Sequence, residues 1–179
     1  MPADDFPIEP STKVAALLDR YPELEDVLIA MAPPFKKLTN PILRRSVARI
    51  ASLRQAAAAG RLPVHELVNR LRAEVGQEPI APEAATASDA YFTSRPDWFD
   101  RTKIVASIDE REAADPDKMT VVAVLHEAAR MQETEIVELI TTFVPAPGID
   151  IMKSKGYLVW TAPEKDGLIK TYFSKPARP

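Results

Sequence analysis

Proline decides how far any regular element can run in this chain. Seventeen prolines are spread over 179 residues. Each fixes φ, lacks a backbone N–H and restricts the residue before it, so only short helices and strands fit between them. The longest break is Gly76 to Pro96, GQEPIAPEAATASDAYFTSRP. It has no sustained apolar period and reads as a linker over 77–97 that packs locally through Tyr91, Phe92, Trp98 and Phe99. It separates an α-helical bundle over 1–76 from a second domain over 98–179.

The first segment carries helical periods. Ser11 or Thr12 caps a helix bearing Val14, Leu17, Leu18 and Tyr21 on one side. Pro22 opens a second, with Leu24, Val27, Leu28 and Met31, which stops at Pro33-Pro34. Asn40-Pro41 pairs a cap with a proline at the first helical position and starts a third through Ile42, Leu43, Val47 and Ile50. Ser52-Leu53-Arg54-Gln55 fits a capping box and begins an alanine-rich helix ended by Gly60. Pro63 begins the last, with Val64, Leu67, Val68 and Leu71 inward.

The second segment alternates strand and helix. Lys103–Ile108 is a β-branched run, and Asp115-Pro116 starts a helix striped by Val121, Val124, Leu125, Ala128 and Met131. Glu135–Thr141 is a strand. A short helix over Gly148–Lys155 follows Pro145-Ala146-Pro147 and ends at Gly156. Tyr157–Thr161 and Leu168–Phe173 flank Asp166-Gly167, a hairpin signal. The expected class is α+β: a helical bundle, then a β-α-β-α-β-β two-layer sandwich with both helices on one sheet face.

Composition narrows the functions. With no cysteine, disulfides, thiolate zinc sites and thiolate-held iron–sulfur clusters are excluded. A formal net charge of −3 gives no global attraction to nucleic acid or anionic lipid. The acidic opening Met1-Pro2-Ala3-Asp4-Asp5 does not read as a secretory signal, and no apolar run approaches the roughly 20 residues of a membrane span. A soluble cytoplasmic protein without membrane contact is the expectation.

Two segments carry resemblances. Tyr21-Pro22-Glu23, Pro34-x-x-x-Leu38-x-Asn40-Pro41 and Leu43-Arg44-Arg45 make the stretch Ile8–Gly76 resemble a helical domain of unknown function. Related domains occur near hybrid-cluster proteins and at the front of iron-centre repair proteins. The redox relatives carry a cysteine pair where this chain has Ala32-Pro33-Pro34-Phe35, so the resemblance is to the cysteine-free branch. PAPGIDIMKSKGYLVW, Pro145 to Trp160, makes Ile104–Phe173 resemble an uncharacterised family related to the TusA/SirA sulfur-carrier fold. Those carriers place Cys-Pro-x-Pro at the start of the first helix. Here Asp115-Pro116 stands nearest that position, and persulfide transfer has no thiol to use.

Several residue sets have a chemistry to offer. His65 and His126 are the only histidines; lacking a partner at i+4 they read as surface histidines rather than metal ligands. Asp109, Glu110, Glu112, Asp115 and Asp117 form an acidic loop that suits helix capping better than cation binding. Asp115, Pro145, Pro147 and Gly148 mark a turn open to an anion or ligand. Lys36, Lys37, Arg44, Arg45, Arg49, Arg54, Arg61, Arg70 and Arg72 make the middle of the bundle basic, and SLRQAAAAGRLPVHELVNRL has a helix-turn-helix outline with a lengthened turn. Pro33, Pro34, Phe35, Lys36, Asn40, Arg44 and Arg45 form a candidate partner-binding surface, in which Phe35, pushed into a non-helical loop by the Pro33-Pro34 break, is either an exposed anchor or a core plug.

The reading that follows is a non-enzymatic accessory or protein-interaction protein with no cofactor. By resemblance it is linked to anaerobic sulfur, iron-centre or nitrogen-oxide metabolism. A DNA-binding regulator using the basic helices and a binder of a small ligand or cofactor are the alternatives.

Overall fold

Helices fill the first part of the chain, and a mixed four-stranded sheet with two helices fills the second, so the protein is α+β. The computed structural model describes residues 6–82, 89–112 and 120–177, with the backbone alone at 42–44, 120 and 121. The chain divides into two compact units, Met1–Ser88 and Asp89–Pro179. Among the described residues no helix is long and apolar enough to cross a membrane.

The helical unit contains α1 (Val14–Arg20), α2 (Leu24–Met31), α3 (Pro41–Ile50), α4 (Leu53–Gly60) and α5 (Val64–Glu74). Ser52 and Gln55 form the expected capping box: the Gln55 N–H donates to Ser52 Oγ (3.3 Å) and the Ser52 N–H to Gln55 Oε1 (2.9 Å). The start of α1 differs from expectation. Lys13 is its N-cap and makes no side-chain cap bond, while Thr12 Oγ1 turns back to accept from the Glu9 N–H at 2.9 Å.

The stretch after α2 also differs. It is not a non-helical loop but a 3-10 helix over Pro33–Thr39. Prolines at its start forfeit only N–H groups that a helix leaves unpaired there, and their fixed φ suits the tighter turn. This buries Phe35 at 6% exposure, in a unit whose Leu17, Leu24, Leu28, Leu53, Leu67 and Leu71 are fully buried. A Cβ at Gly60 would lie 3.0 Å from Phe35 Cζ and 3.0 Å from Ala32 Cβ. Gly60 therefore ends α4 as glycine for want of space.

Residues just beyond α5 lie along it rather than leaving it. Asn69 brackets Ile80, accepting from its N–H at 2.7 Å and donating to its carbonyl at 3.0 Å. Gln77 accepts from the Ile8 N–H (3.0 Å) and donates to the Phe6 carbonyl (2.8 Å). Arg72 donates to the Ile8 carbonyl (2.7 Å) and also to that of Glu78.

The second unit runs β1 (Ile104–Asp109), α6 (Thr120–Arg130), β2 (Ile136–Thr141), α7 (Ala146–Ser154), β3 (Leu158–Pro163) and β4 (Ile169–Ser174), the expected β-α-β-α-β-β order. The strands lie β1-β2-β4-β3. β1 is parallel to β2, a pairing that needs a crossover, supplied by α6. β4 is antiparallel to both β2 and β3. Val124 and Ala128 from α6, Met131 just after it and Met152 from α7 pack on Val137, Leu139 and Phe173, which puts both helices on one face. The residues before β1 are held to this unit. Tyr91 Oη donates to Asp150 Oδ2 (2.9 Å), Trp160 Nε1 donates to the Thr93 carbonyl (3.0 Å), and Phe92 bridges to Thr161.

Cutting the chain at Gly76 removes the hydrogen bonds made by Gln77, Glu78 and Ile80. At about 1 kcal/mol for each net bond, urea unfolding of fragment 1–76 should give a stability about 2–4 kcal/mol below that of fragment 1–88. Equal stabilities would make 77–82 a mere tether.

Candidate functional site

Strand alternation sends every second side chain to the sheet face that carries no helix. The register aligns these side chains in rows across all four strands. Ser107 stands opposite Glu138, Glu138 opposite Tyr172, and Tyr172 opposite Trp160. The next row is Asp109, Ile140, Lys170 and Ala162.

Half of this face is roofed with aromatic rings. Phe99 sits 4.6 Å from the Trp160 ring and 4.5 Å from that of Tyr172, with Ile136 beneath. Trp160 and Tyr172 are nearly parallel, 19° apart at 5.2 Å. Trp98 meets Phe99 edge-on, and the Arg95 guanidinium lies 5.1 Å from the Phe99 ring centre.

Glu138 is the centre of the face and is buried. Ser107 Oγ donates to its Oε2 at 2.8 Å, and the Lys170 ammonium lies 3.2 Å from Oε1. A buried carboxylate requires such partners, since an unpaired one is strongly disfavoured. Burial, then the charge of Glu138 and a hydrogen bond to it, push the Tyr172 phenol up to about 12. Tyr172 is thereby kept protonated, a donor rather than a base. Both Glu138 oxygens are engaged, so the constellation fixes β1, β2 and β4 in register more than it offers a free reactive group. In the adjacent row Asp109 is drawn down to about 2 by hydrogen bonds from Arg111.

Sequence reasoning passed over Glu138, Lys170, Ser107 and Tyr172. The available signal was the alternation Ile136-Glu138-Ile140, which puts a charge at a position facing away from the helices.

The surface expected around Phe35 splits in two. Phe35 is the core plug of the two alternatives, so no exposed aromatic anchor remains there. Lys36, Lys37, Arg45 and Arg49 are exposed, Pro33 is exposed, and Pro34 and Asn40 are half-buried. The Arg44 side chain lies outside the described residues. The turn proposed for an anion is not open at α7, because Ala146 and Gly148 are buried. Pro145 precedes that helix and Pro147 sits in its first turn, while Asp115 lies outside the described residues, as does Asp117.

The remaining sets are also separated. His126 is exposed beside Glu127, 3.5 Å away. His65 Nδ1 is buried with no hydrogen-bond partner among the described residues. The outline of a helix-turn-helix survives as α4 and α5, joined through Arg61 in a left-handed conformation (φ 54°). Three polar side chains of its second helix are engaged within the unit, however. Asn69 and Arg72 bind backbone of their own unit, and Arg70 pairs with Glu74 at 2.9 Å.

The Tyr172 phenol gives this site a measurable signature. Its folded pKa of about 12 exceeds the ordinary value of about 10. The folded state therefore holds the proton more tightly, and that stability is present below pH 10 and lost as pH rises through 12. Absorbance titration should show one of the four tyrosines ionising near pH 12, and Tyr172→Phe should abolish that late phase. A wild-type curve with no late phase would contradict the packing described.

Residues 8–68 match the model of a family described as Domain of unknown function (DUF1858), in keeping with the helical unit seen there. No curated protein and no solved structure matches the chain. By family, then, the helical unit is similar to an uncharacterised helical domain.

Proposed function

We propose that this chain is a non-enzymatic accessory protein that binds an acidic partner protein through the helical unit. One observation carries the reading. The sequence holds no acidic residue between Asp26 and Glu66, and Lys36, Lys37, Arg45 and Arg49 from that interval are exposed on two packed elements, the 3-10 helix and α3. Arg45 and Arg49 are four residues apart and share one stripe of α3. Such a cation cluster accelerates and orients association with an acidic surface.

The resemblances add a setting. The cysteine-free relatives of the helical domain and the TusA/SirA-like order of elements support a role beside anaerobic sulfur, iron-centre or nitrogen-oxide metabolism, without carriage of sulfur by this chain. Regulation through duplex DNA is less well supported, because Asn69, Arg70 and Arg72 of α5 are already engaged.

Charge reversal tests the reading. Wild-type protein and the variant Lys36→Glu, Arg45→Glu, Arg49→Glu are immobilised and exposed to extract of the native host. We expect the wild type to retain one acidic protein in near-stoichiometric amount, weakly at high salt. The variant should lose at least tenfold of it, with unchanged melting. Steeply salt-dependent binding of random duplex DNA, with no protein retained, would replace this function with that of a DNA-binding regulator.

A further inference from the structure

The sheet unit carries a surface that a segment of its own chain occupies. Trp160 and Tyr172 stand on paired positions of β3 and β4, with their rings 5.2 Å and 19° apart. The strand register sets that stack. Phe99 is brought to it by a separate segment, residues 89–99, and is buried against both rings at 4.6 Å and 4.5 Å.

The segment is fastened as an extended peptide is on a sheet. β3 ends the strand order, and Phe92 forms a parallel bridge with its Thr161. The Trp160 indole N–H donates to the Thr93 carbonyl at 3.0 Å. Both contacts take the segment's backbone, so any extended chain can supply them; selection falls to the side chains. Two rings do the selecting. Tyr91 Oη donates to Asp150 Oδ2 at 2.9 Å, and Phe99 fills the hollow over the stack. A turn inside the segment presents Phe99. Its N–H donates to the Pro96 carbonyl (3.2 Å), and Arg95 donates to its carbonyl (3.3 Å) with the guanidinium 5.1 Å from the ring centre. Between the two rings Thr93, Ser94, Arg95 and Asp97 are exposed. A segment held mainly at its two ends opens at a lower free energy than the ladder it covers.

We propose that residues 89–99 form a releasable strap, and that the face beneath binds an extended segment of a partner protein bearing an aromatic residue. Tethered to the same chain, the strap competes at an effective concentration on the order of 1 mM and keeps the face closed.

The test uses the full chain and a fluorescein-labelled peptide of residues 89–100, DAYFTSRPDWFD. Wild-type protein should bind it weakly, because few molecules are open at any moment. Phe99→Ala empties the hollow and should tighten binding about tenfold. Tyr91→Phe removes the tie to Asp150 and should tighten it about threefold; it leaves the apolar face intact and decides the question if the first variant loses its fold. A peptide that itself carries Phe99→Ala should not bind. In wild-type protein the Trp160 indole proton should be protected from exchange about a hundredfold less than the ladder amides of Thr171 and Phe173. Equal protection, no gain in the Tyr91→Phe chain, or binding that ignores the peptide's Phe99 would overturn the proposal. So would a Tyr91→Phe chain that dimerises without taking up peptide, which would give the face to a second copy.

Discussion

Arg72 fastens the helical unit. Its guanidinium donates to the carbonyls of Ile8 and Glu78, residues far apart in sequence that precede α1 and follow α5. A unit of fewer than 90 residues buries a smaller fraction of its surface than a large domain does. Ties from a half-buried cation to backbone therefore count for more. Gln77 and Asn69 repeat the device, and Ile8 reaches 0% exposure under them.

The sheet unit solves the corresponding problem with aromatic rings. Helices cover one face, and the opposite face would leave Ile136 and Tyr172 in water. Residues 91–93 are held to α7 and β3 through Tyr91, Phe92 and the Trp160 indole, and Phe99 then closes the apolar half of the open face. The polar half needs no roof. There Glu138 is satisfied by Ser107 and Lys170 from the flanking strands, and an ion pair with both members held in the ladder specifies register more surely than it adds stability.

What the sequence disclosed was mostly local. The capping box at Ser52, the proline at the start of α3, the end of α4 at Gly60 and the succession of strands and helices in the sheet unit are written in residues a few positions apart, and the structure has them all. Phe35 was ambiguous because a ring beside two prolines and two lysines suits a core and an interface equally. Its burial is decided by Gly60, 25 residues away, whose missing side chain makes the space. The pairing of Glu138 with Lys170 was invisible for the same reason, since it depends on β2 pairing with β4. The stretch after Gly76 looked unstructured because its order comes from side chains of α5 rather than from any period of its own.

These ties make the flanking segments part of the unit's folded body, and native-state hydrogen exchange tests that most directly. The amides of Ile8 and Ile80 donate to the side chains of Gln77 and Asn69. They should exchange with the same free energy as the buried amides of Leu67 and Leu71, through global unfolding of the unit. Exchange of Ile8 and Ile80 near the free-peptide rate, with α5 still protected, would show the flanking segments detached and the account wrong.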